Sequence, residues 1–403
     1  MLPVLDAGVE RSQVILTVSD LAVTFGTPEG PLRAVRGLSY TVRRRESLAI
    51  VGESGSGKSV TSMAVMGLLP RNATVTGSVR FGETELLGMS DKAMSHIRGR
   101  RLGMIFQDPM TSLDPVYKIG AQLGEALQAH DKNLSRQAIR ARCVELLDIV
   151  GIPNAAQRLV AYPHEFSGGM RQRVVIAIAI ANNPDVIIAD EPTTALDVTV
   201  QAVVLEALQA AQEETGAALV LITHDLGVVA RMADRVLVMY AGRAVEVGSA
   251  EDVFYRPRMP YTVGLLNSLP RIETGRRERL TPIHGSPPSL LRLPSGCPFA
   301  PRCPMAITEC TLSEPSLDQV QTHGARLPAT YLSTTHLAAC IRSGELVGRD
   351  RAAAGRVFAA DSADKDLPAE SVSALDDSVK NVESARGEGR GGQPQPGQQN
   401  DSA

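Results

Sequence analysis

Short apolar runs separated by polar turns dominate the first part of the chain. Residues 14–25 are rich in β-branched and apolar side chains and are followed by a turn at residues 27–30. Residues 48–51 form a short apolar run that ends at Gly52, as expected of a buried parallel strand leading into a glycine-rich loop. The pattern therefore predicts N-terminal strands followed by a buried strand.

Further apolar runs continue this pattern towards residue 250. Residues 186–189 and 219–222 each end at polar residues, which predicts two more buried strands. Residues 236–239 and 244–247 flank Ala241 and Gly242, an arrangement typical of a β-hairpin.

The spacing of apolar residues becomes helical between about residues 116 and 160. Ile139, Cys143, Leu146 and Val150 fall on one helical face, and Gly151 ends that helix. We therefore predict an α/β fold with a helical insert at about residues 108–170, inside a first domain that covers residues 12–256. Cys143 is predicted to be a core residue.

The composition changes twice after this first domain. Prolines become dense beyond about residue 256 and four cysteines appear, so residues 257–345 are predicted to form a second, smaller unit. Residues 346–403 are rich in Ala, Ser, Gly and Asp and contain one aromatic residue, Phe358. Such a segment buries too little apolar surface to offset the entropy of ordering, and we predict that it is a disordered tail.

Size and charge narrow the function classes. The 403 residues carry a net charge of −3, so no strongly basic field points to a nucleic acid partner. No stretch approaches the roughly 18 apolar residues that span a bilayer, and the N-terminus lacks the pattern of a signal peptide. We expect a cytosolic chain that reaches a membrane only through partners.

A phosphate-binding motif follows the buried strand at residues 48–51. Residues 52–59 fit the pattern G-x-x-x-x-G-K-[ST] between a strand and a predicted helix. Glycines let backbone N–H groups close around phosphates, Lys58 reaches the β- and γ-phosphates, and Ser59 supplies an oxygen to Mg²⁺. The predicted nucleotide-binding residues here are Gly52, Ser54, Gly55, Ser56, Gly57, Lys58, Ser59 and Val60.

A second acidic element ends the strand at residues 186–189. Asp190 at the end of a strand is suited to holding Mg²⁺, and Glu191 beside it is suited to accepting a proton from the attacking water. Taken alone, the pair also fits an acidic helix cap. Its position after the phosphate-binding motif favours the catalytic interpretation.

Residues 166–173, Phe-Ser-Gly-Gly-Met-Arg-Gln-Arg, resemble the signature of the ATPases of ABC transporters. The resemblance extends over residues 14–256. It implies a P-loop fold of the ABC type, with a mixed β-sheet core, an N-terminal antiparallel β-subdomain and a helical insert. It also implies that two chains close on two ATP molecules, with Ser167, Gly168, Gly169 and Gln172 facing the nucleotide of the partner.

Other residues match positions of the same family. Gln107 matches a glutamine that contacts Mg²⁺ and senses the γ-phosphate, Asp197 lies in the loop after the second acidic element, and His224 matches a switch histidine. Phe25 lies where the family stacks an aromatic ring on adenine, although core packing also explains an aromatic residue there. Arg45 departs from the family, which usually has a glycine before the equivalent of Glu46, and this puts the geometry of that turn in question.

The version of these motifs is similar to that of peptide and nickel importers. The segments 107–115 and 162–166, and the segment around Cys297 and Cys303, carry the resemblance. It implies an ATPase that powers import of oligopeptides or dipeptides from the cytoplasmic face of a bacterial cell membrane. Implied partners are a similar but distinct ATPase subunit, two membrane-spanning permease subunits and an extracytoplasmic peptide-binding protein.

Four of the five cysteines fall within 44 residues with the spacing C-x5-C-x6-C-x29-C: Cys297, Cys303, Cys310 and Cys340. Disulfides are disfavoured in a reducing cytosol, so the cluster suggests a shared metal site. Four thiolates suit Zn²⁺ or a [4Fe–4S] cluster, and a cluster without metal is the third possibility. The resemblance favours [4Fe–4S]. His336 is either a spare ligand or a surface residue.

Two alternatives remain beside peptide import. One is the ATPase of a nickel or other small-solute importer. The other is an ABC ATPase that works on DNA or the ribosome, although the chain lacks the long coiled coils or second nucleotide site of such proteins. A binding protein with an inactive nucleotide site would require a substitution at Lys58, Ser167, Glu191 or His224, and all four are present.

Overall fold

The computed structural model describes residues 13–108, 112–194, 196–268, 283–320 and 336–346, which lie in one compact unit. Within these ranges the strands form a four-stranded and an eight-stranded sheet. The strands are β1 (Val14–Thr27), β2 (Gly30–Arg43), β3 (Ser47–Val51), β4 (Ala73–Phe81), β5 (Thr84–Glu85), β6 (Leu102–Ile105), β7 (Val186–Asp190), β8 (Ala218–Thr223), β9 (Arg235–Tyr240), β10 (Arg243–Ser249), β11 (Asp318–Gln319) and β12 (Leu337–Ala338).

The four-stranded sheet is the predicted N-terminal antiparallel subdomain. Its order is β2-β1-β4-β5, and every neighbouring pair is antiparallel. A turn between Thr27 and Gly30 joins β1 to β2, where the sequence predicted it. Alternate residues of β1 and β2, such as Leu16, Val18 and Leu38, are fully buried, which is the pattern of a sheet packed on one face.

The eight-stranded sheet has the order β11-β12-β10-β9-β3-β8-β7-β6. The five strands from β9 to β6 are parallel, and the three at the other edge are antiparallel. Strands β3, β7, β8 and β9 are buried at every residue, which explains why they are continuous apolar runs rather than alternating ones. The mixed α/β core predicted from the sequence is confirmed.

Some helices pack on the central sheet, and others form the predicted insert. They are α1 (Lys58–Val65), α2 (Asp91–Ser95), α3 (Ile119–Gln128), α4 (Arg136–Ile149), α5 (Ala155–Arg158), α6 (Gly168–Ala179), α7 (Val198–Thr215), α8 (Leu226–Met232), α9 (Ala250–Tyr255) and α10 (Pro260–Asn267). Helices α3 to α6 share one apolar core, in which Cys143 is 1% exposed. Across the described ranges, no helix combines the length and hydropathy needed to cross a membrane.

The segment after residue 256 continues the main sheet. Strand β12 pairs with β10, and the Ala339 N–H donates to the Val245 carbonyl. Tyr261 and Phe299 are fully buried and contact Tyr240 at ring-centroid distances of 4.5 and 5.4 Å. The proline-rich segment therefore has an aromatic core that it shares with the ATPase sheet.

Leu346, the first residue assigned to the tail, is 1% exposed, and the rest of the predicted tail lies outside the described residues.

The turn before β3, where the resemblance leads us to expect a glycine, is left-handed at Arg45. Arg45 has φ +58°, a value that costs a non-glycine residue roughly 1–2 kcal/mol. The turn is closed by the Glu46 N–H, which donates to the Arg43 carbonyl at 3.2 Å. Glu46 also forms a buried ion pair with Arg235 at 2.9 Å. Strand β3 therefore begins at the expected place although the glycine is absent.

Candidate nucleotide site

The loop between β3 and α1 takes a shape that only glycine permits at two positions. Gly52 and Gly57 have φ values of +154° and +100°. A Cβ atom would lie 2.3 Å from the Met239 carbonyl oxygen at Gly52, and 2.5 Å from the Ala34 carbonyl oxygen at Gly57. Strand β3 thus delivers the loop to the start of α1, where an anion would meet the helix N-terminus.

Lys58 is nearly buried and lies along this loop. Its ammonium group donates to the carbonyl oxygens of Gly52 at 2.8 Å and Glu53 at 3.0 Å. Burial lowers the pKa of Lys58, while Glu191, Asp190 and Glu53 act in the opposite direction. The Ser56 hydroxyl is buried and has no hydrogen-bond partner among the described residues. This is expected of a group that binds a phosphate oxygen when nucleotide is present.

Ser59 and Asp190 are brought together from α1 and β7. The Ser59 hydroxyl donates to Asp190 Oδ1 at 2.9 Å. Burial raises the pKa of Asp190, and the hydrogen bond from Ser59 opposes that shift. Two hard oxygen ligands beside a phosphate-binding loop are the donors that Mg²⁺ prefers, so these residues fit the predicted metal.

Glu191 lies at the centre of a polar group whose members come from three separate segments of the chain. Its carboxylate accepts from Gln107 Nε2 at 3.2 Å and from Thr194 Oγ1 at 2.8 Å, and it lies 3.4 Å from His224 Nδ1. Glu191 has φ +48°, an unusual value for a non-glycine residue and of a kind that concentrates at functional sites. The side chain of His224 is 63% exposed and therefore accessible from solvent.

Thr194 was missed by the sequence reasoning. It lies three residues after Glu191 and fixes the orientation of the carboxylate. The available signal was the spacing alone, a hydroxyl three residues beyond the predicted general base.

The signature residues form a second group on α6 and the start of α7. Ser167 caps α6, with its hydroxyl accepting from the Met170 N–H at 3.3 Å. Gly168 is exposed, whereas a Cβ at Gly169 would lie 2.3 Å from Val200 Cγ1. Asp197 caps α7 in the same way, accepting from the Val200 N–H.

Gln172, Phe25 and Val60 complete the predicted nucleotide contacts. Gln172 is 1% exposed, and its amide has no hydrogen-bond partner within the described ranges. Phe25 and Val60 are partly buried against the apolar core that the antiparallel subdomain shares with the central sheet. The role of each of these three residues stays a prediction.

The four cysteines of the extension come together, although 29 residues separate Cys310 from Cys340 in sequence. All four are free thiols that line one cavity of about 20 Å³ with Phe299. Burial raises the pKa of Cys303 to about 12 and that of Cys340 to about 11. Of the residues that the structure describes, no three His, Cys, Asp or Glu side chains are arranged to hold a metal ion.

His336 is not the surface residue that the sequence suggested. It is 6% exposed, and its Nε2 lies 2.8 Å from Oε1 of the fully buried Glu246. Glu246 also accepts from the N–H groups of Arg258 and Met259. His336 is buried because β12, which follows it, pairs with β10. The contact could not be predicted, because His336 and Glu246 are 90 positions apart in sequence.

Both the nucleotide-site region and the extension are similar to known protein families. The family profile described as ABC transporter matches residues 35–194, and the one described as oligopeptide/dipeptide transporter, C-terminal region, matches residues 245–310. The oligopeptide transport ATP-binding protein OppD of Mycobacterium bovis is 56% identical over 343 residues, 85% of this chain and 54% of that protein. OppD of Salmonella typhimurium is 52% identical over 306 residues, 76% of this chain and 91% of that protein.

Solved structures give the same fold. The ATP-binding cassette MJ0796, solved as a dimer in a post-hydrolysis state with ADP and phosphate, is 26% identical with a TM-score of 0.53. The match covers 59% of this chain and 99% of that one.

The chain spans about half the length of the mycobacterial relatives (54%) and most of the Salmonella protein (91%).

Proposed function

The chain belongs to the family of oligopeptide transport ATP-binding proteins of the ABC transporters, and from this premise we propose that it hydrolyses ATP to power the import of short peptides. The observation that carries the ATPase function is the group around Glu191: a carboxylate held by Gln107 and Thr194, one residue after Asp190 and beside the phosphate-binding loop.

In the proposed reaction, Lys58 and the loop at residues 52–59 hold the phosphates of ATP. Ser59, Gln107 and Asp190 are the residues that would hold Mg²⁺, which neutralises the developing charge on the transferred phosphoryl group. Glu191 accepts the proton of the attacking water, and His224 stabilises the γ-phosphate from its exposed position. Phe25, Val60, Ser54 and Gly55 line the remainder of the nucleotide.

We further propose that two ATPase subunits close on two nucleotides. The exposed position of Ser167 and Gly168 at the start of α6 supports a site for a phosphate held by a partner. Asp197, exposed at the start of α7, adds to that surface, whereas Gly169 and Gln172 are buried behind it. The relative MJ0796 was solved as a dimer bound to ADP and phosphate. By the family resemblance, the partner is a similar but distinct ATPase.

The remaining partners and the domain division follow from the same family. Two permease subunits would carry the peptide across the membrane, an extracytoplasmic binding protein would deliver it, and this chain would attach to the cytoplasmic face of a bacterial membrane. Residues 12–256 would be the ATPase domain, 257–345 the peptide-importer extension and 346–403 a tail that takes no part in turnover.

Peptide rather than nickel import is favoured by the match of residues 245–310 to the oligopeptide/dipeptide transporter region. A strain that lacks this chain should lose uptake of a radiolabelled tripeptide, and wild-type chain should restore it. The Lys58→Ala variant, which removes the phosphate contact, should not. Uptake of free leucine is the control and should not change. Restored nickel uptake without restored peptide uptake would favour the alternative importer.

For the four cysteines we propose a [4Fe–4S] cluster that organises the extension. Their number, their free thiols and their shared cavity support this ligand set. The cavity is about the size of one water molecule, so the thiols would have to move apart to admit a cluster. No chemical step of ATP hydrolysis involves it.

Anaerobic purification followed by iron, sulfide and zinc analysis tests this site. We expect about four irons per chain, lost in Cys303→Ser and kept in Cys143→Ser, which removes a buried thiol from the separate helical core. One zinc per chain would indicate a structural zinc site instead. No metal under anaerobic conditions would contradict the proposal.

A further inference from the structure

The cysteine-containing extension touches the phosphate-binding loop through one buried arginine. Arg302 Nη1 donates to Glu53 Oε2 at 2.6 Å, and Arg302 Nη2 donates to Glu53 Oε1 at 2.9 Å. Glu53 is the second residue of the loop, and 249 positions of sequence separate it from Arg302. The arginine side chain is 5% exposed and the glutamate side chain 26%. A bidentate pair of this kind restricts the orientation of both side chains and also balances their charges.

Several contacts hold Arg302 in this position. Its Nη1 also donates to Tyr240 Oη at 3.2 Å, and its Nε donates to the His284 carbonyl at 3.0 Å. The Arg302 N–H donates to the Phe299 carbonyl at 2.9 Å, within a short 3₁₀ turn between Cys297 and Cys303. The position of the guanidinium therefore depends on the fold of the cysteine segment.

The extension contacts Glu53 from a second direction. The Glu53 N–H donates to Tyr261 Oη at 2.8 Å, and Tyr261 is fully buried on α10. The carbonyl of Glu53, in turn, accepts from the ammonium group of Lys58. The backbone and the carboxylate of one loop residue are thus held by two residues beyond position 256, and the same residue contacts the phosphate-binding lysine.

A carboxylate in this loop has an electrostatic consequence. ATP brings several negative charges to the loop, and an unpaired Glu53 beside it would oppose their binding. Arg302 compensates that charge in a partly desolvated site, where screening by solvent is reduced. Because the pair is bidentate, it also restricts the carboxylate to one orientation, directed at the extension.

We propose that Arg302 is a positioning residue for nucleotide binding: it neutralises and holds Glu53, and so makes the affinity of the loop for nucleotide depend on the extension. The inference rests on the proposed function, because it requires that residues 52–59 bind ATP. It assigns to the extension an influence on the nucleotide site.

The test measures the Kd of Mg²⁺–ADP by calorimetry on the full chain. We expect Arg302→Gln to raise Kd about tenfold, because the charge of Glu53 becomes unpaired, and Arg302→Lys to raise it less. The double variant Glu53→Gln/Arg302→Gln should return Kd to within about threefold of wild type, because no charge is left to compensate. A purely structural role of Arg302 would not be rescued by removing the carboxylate.

Glu314→Gln is the matched control. Glu314 also joins the extension to the ATPase core, through a bidentate pair with Arg36 at 2.8 and 2.9 Å, but it does not contact the loop. Its Kd should stay within about twofold of wild type, since no charge changes beside the phosphates. Equal weakening in Glu314→Gln and Arg302→Gln, or a double variant as weak as Arg302→Gln, would overturn the proposal.

The proposed function fails separately from this inference. If wild-type chain and Lys58→Ala bind Mg²⁺–ADP equally, the nucleotide site itself is wrong. If wild type binds, Lys58→Ala does not, and Arg302→Gln matches wild type, only the role of Arg302 is wrong. Should Arg302→Gln fail to fold, Arg302→Lys decides the question: it keeps the charge but cannot form the bidentate pair, and a Kd equal to that of wild type would contradict the role of Arg302.

Discussion

Replacing Glu191 by glutamine should lower ATP turnover by about two orders of magnitude or more, because the variant keeps the size of the side chain and loses its basicity. The hydrogen bond from Thr194 and the contact with His224 allow an amide of the same shape. ATP binding should therefore persist, and the variant should accumulate as an ATP-bound closed dimer. Steady-state ATPase rates and the Kd of Mg²⁺–ATP measure the two effects separately.

Glu206→Gln is the control for Glu191→Gln. Glu206 is an exposed glutamate on α7 whose only described ion pair is with Arg231 at 3.6 Å. Its loss should leave the ATPase rate within about twofold of wild type, as for most surface substitutions. An ATPase rate of Glu191→Gln near that of wild type would remove Glu191 from the catalytic role.

Gly57→Ala should weaken nucleotide binding by about 100-fold or more, because it combines backbone strain with a collision. The residue has φ +100°, and the new Cβ would lie 2.5 Å from the carbonyl oxygen of Ala34, which cannot move independently of β2. The loop must shift away from the phosphates. A fluorescent ADP analogue titrated with Mg²⁺ measures the loss.

Gly55→Ala is a matched variant in the same loop. Gly55 has φ +78°, but a Cβ there would meet nothing within 4 Å. It therefore carries the strain without the collision, and we expect a loss of only about tenfold. Equal losses in the two variants would show that the contact with Ala34 contributes nothing.

The sequence was sufficient to predict those parts of the site whose residues are adjacent in the chain. Strand β3 and the glycine-rich loop are local, and the continuous apolar run with its glycines was sufficient to place both. The polar group around Glu191 could not be predicted from neighbouring residues, because Gln107 and His224 follow other strands. The order of motifs supplied that information, since parallel strands bring their carboxyl ends to one edge.

Contacts between the two halves of the chain could not be predicted. Nothing in the sequence around Arg302 indicates that it pairs with Glu53. The burial of His336 against Glu246 depends on the pairing of β12 with β10, at the edge of the sheet. A strand of two residues has too weak a pattern to be recognised. The absence of a glycine at Arg45 was visible in the sequence, but the shape of the turn was not: the backbone angle of Arg45 shows that it is left-handed.

The most direct test of the central claim is peptide uptake by proteoliposomes that contain this chain, the proposed ATPase partner and the two proposed permeases, with the proposed peptide-binding protein supplied outside. With ATP and Mg²⁺ enclosed, a radiolabelled peptide should accumulate inside against its gradient, and vesicles assembled with Glu191→Gln should accumulate almost none. Accumulation that continues with Glu191→Gln, or ATP hydrolysis by the wild-type assembly without accumulation of peptide, would contradict the account.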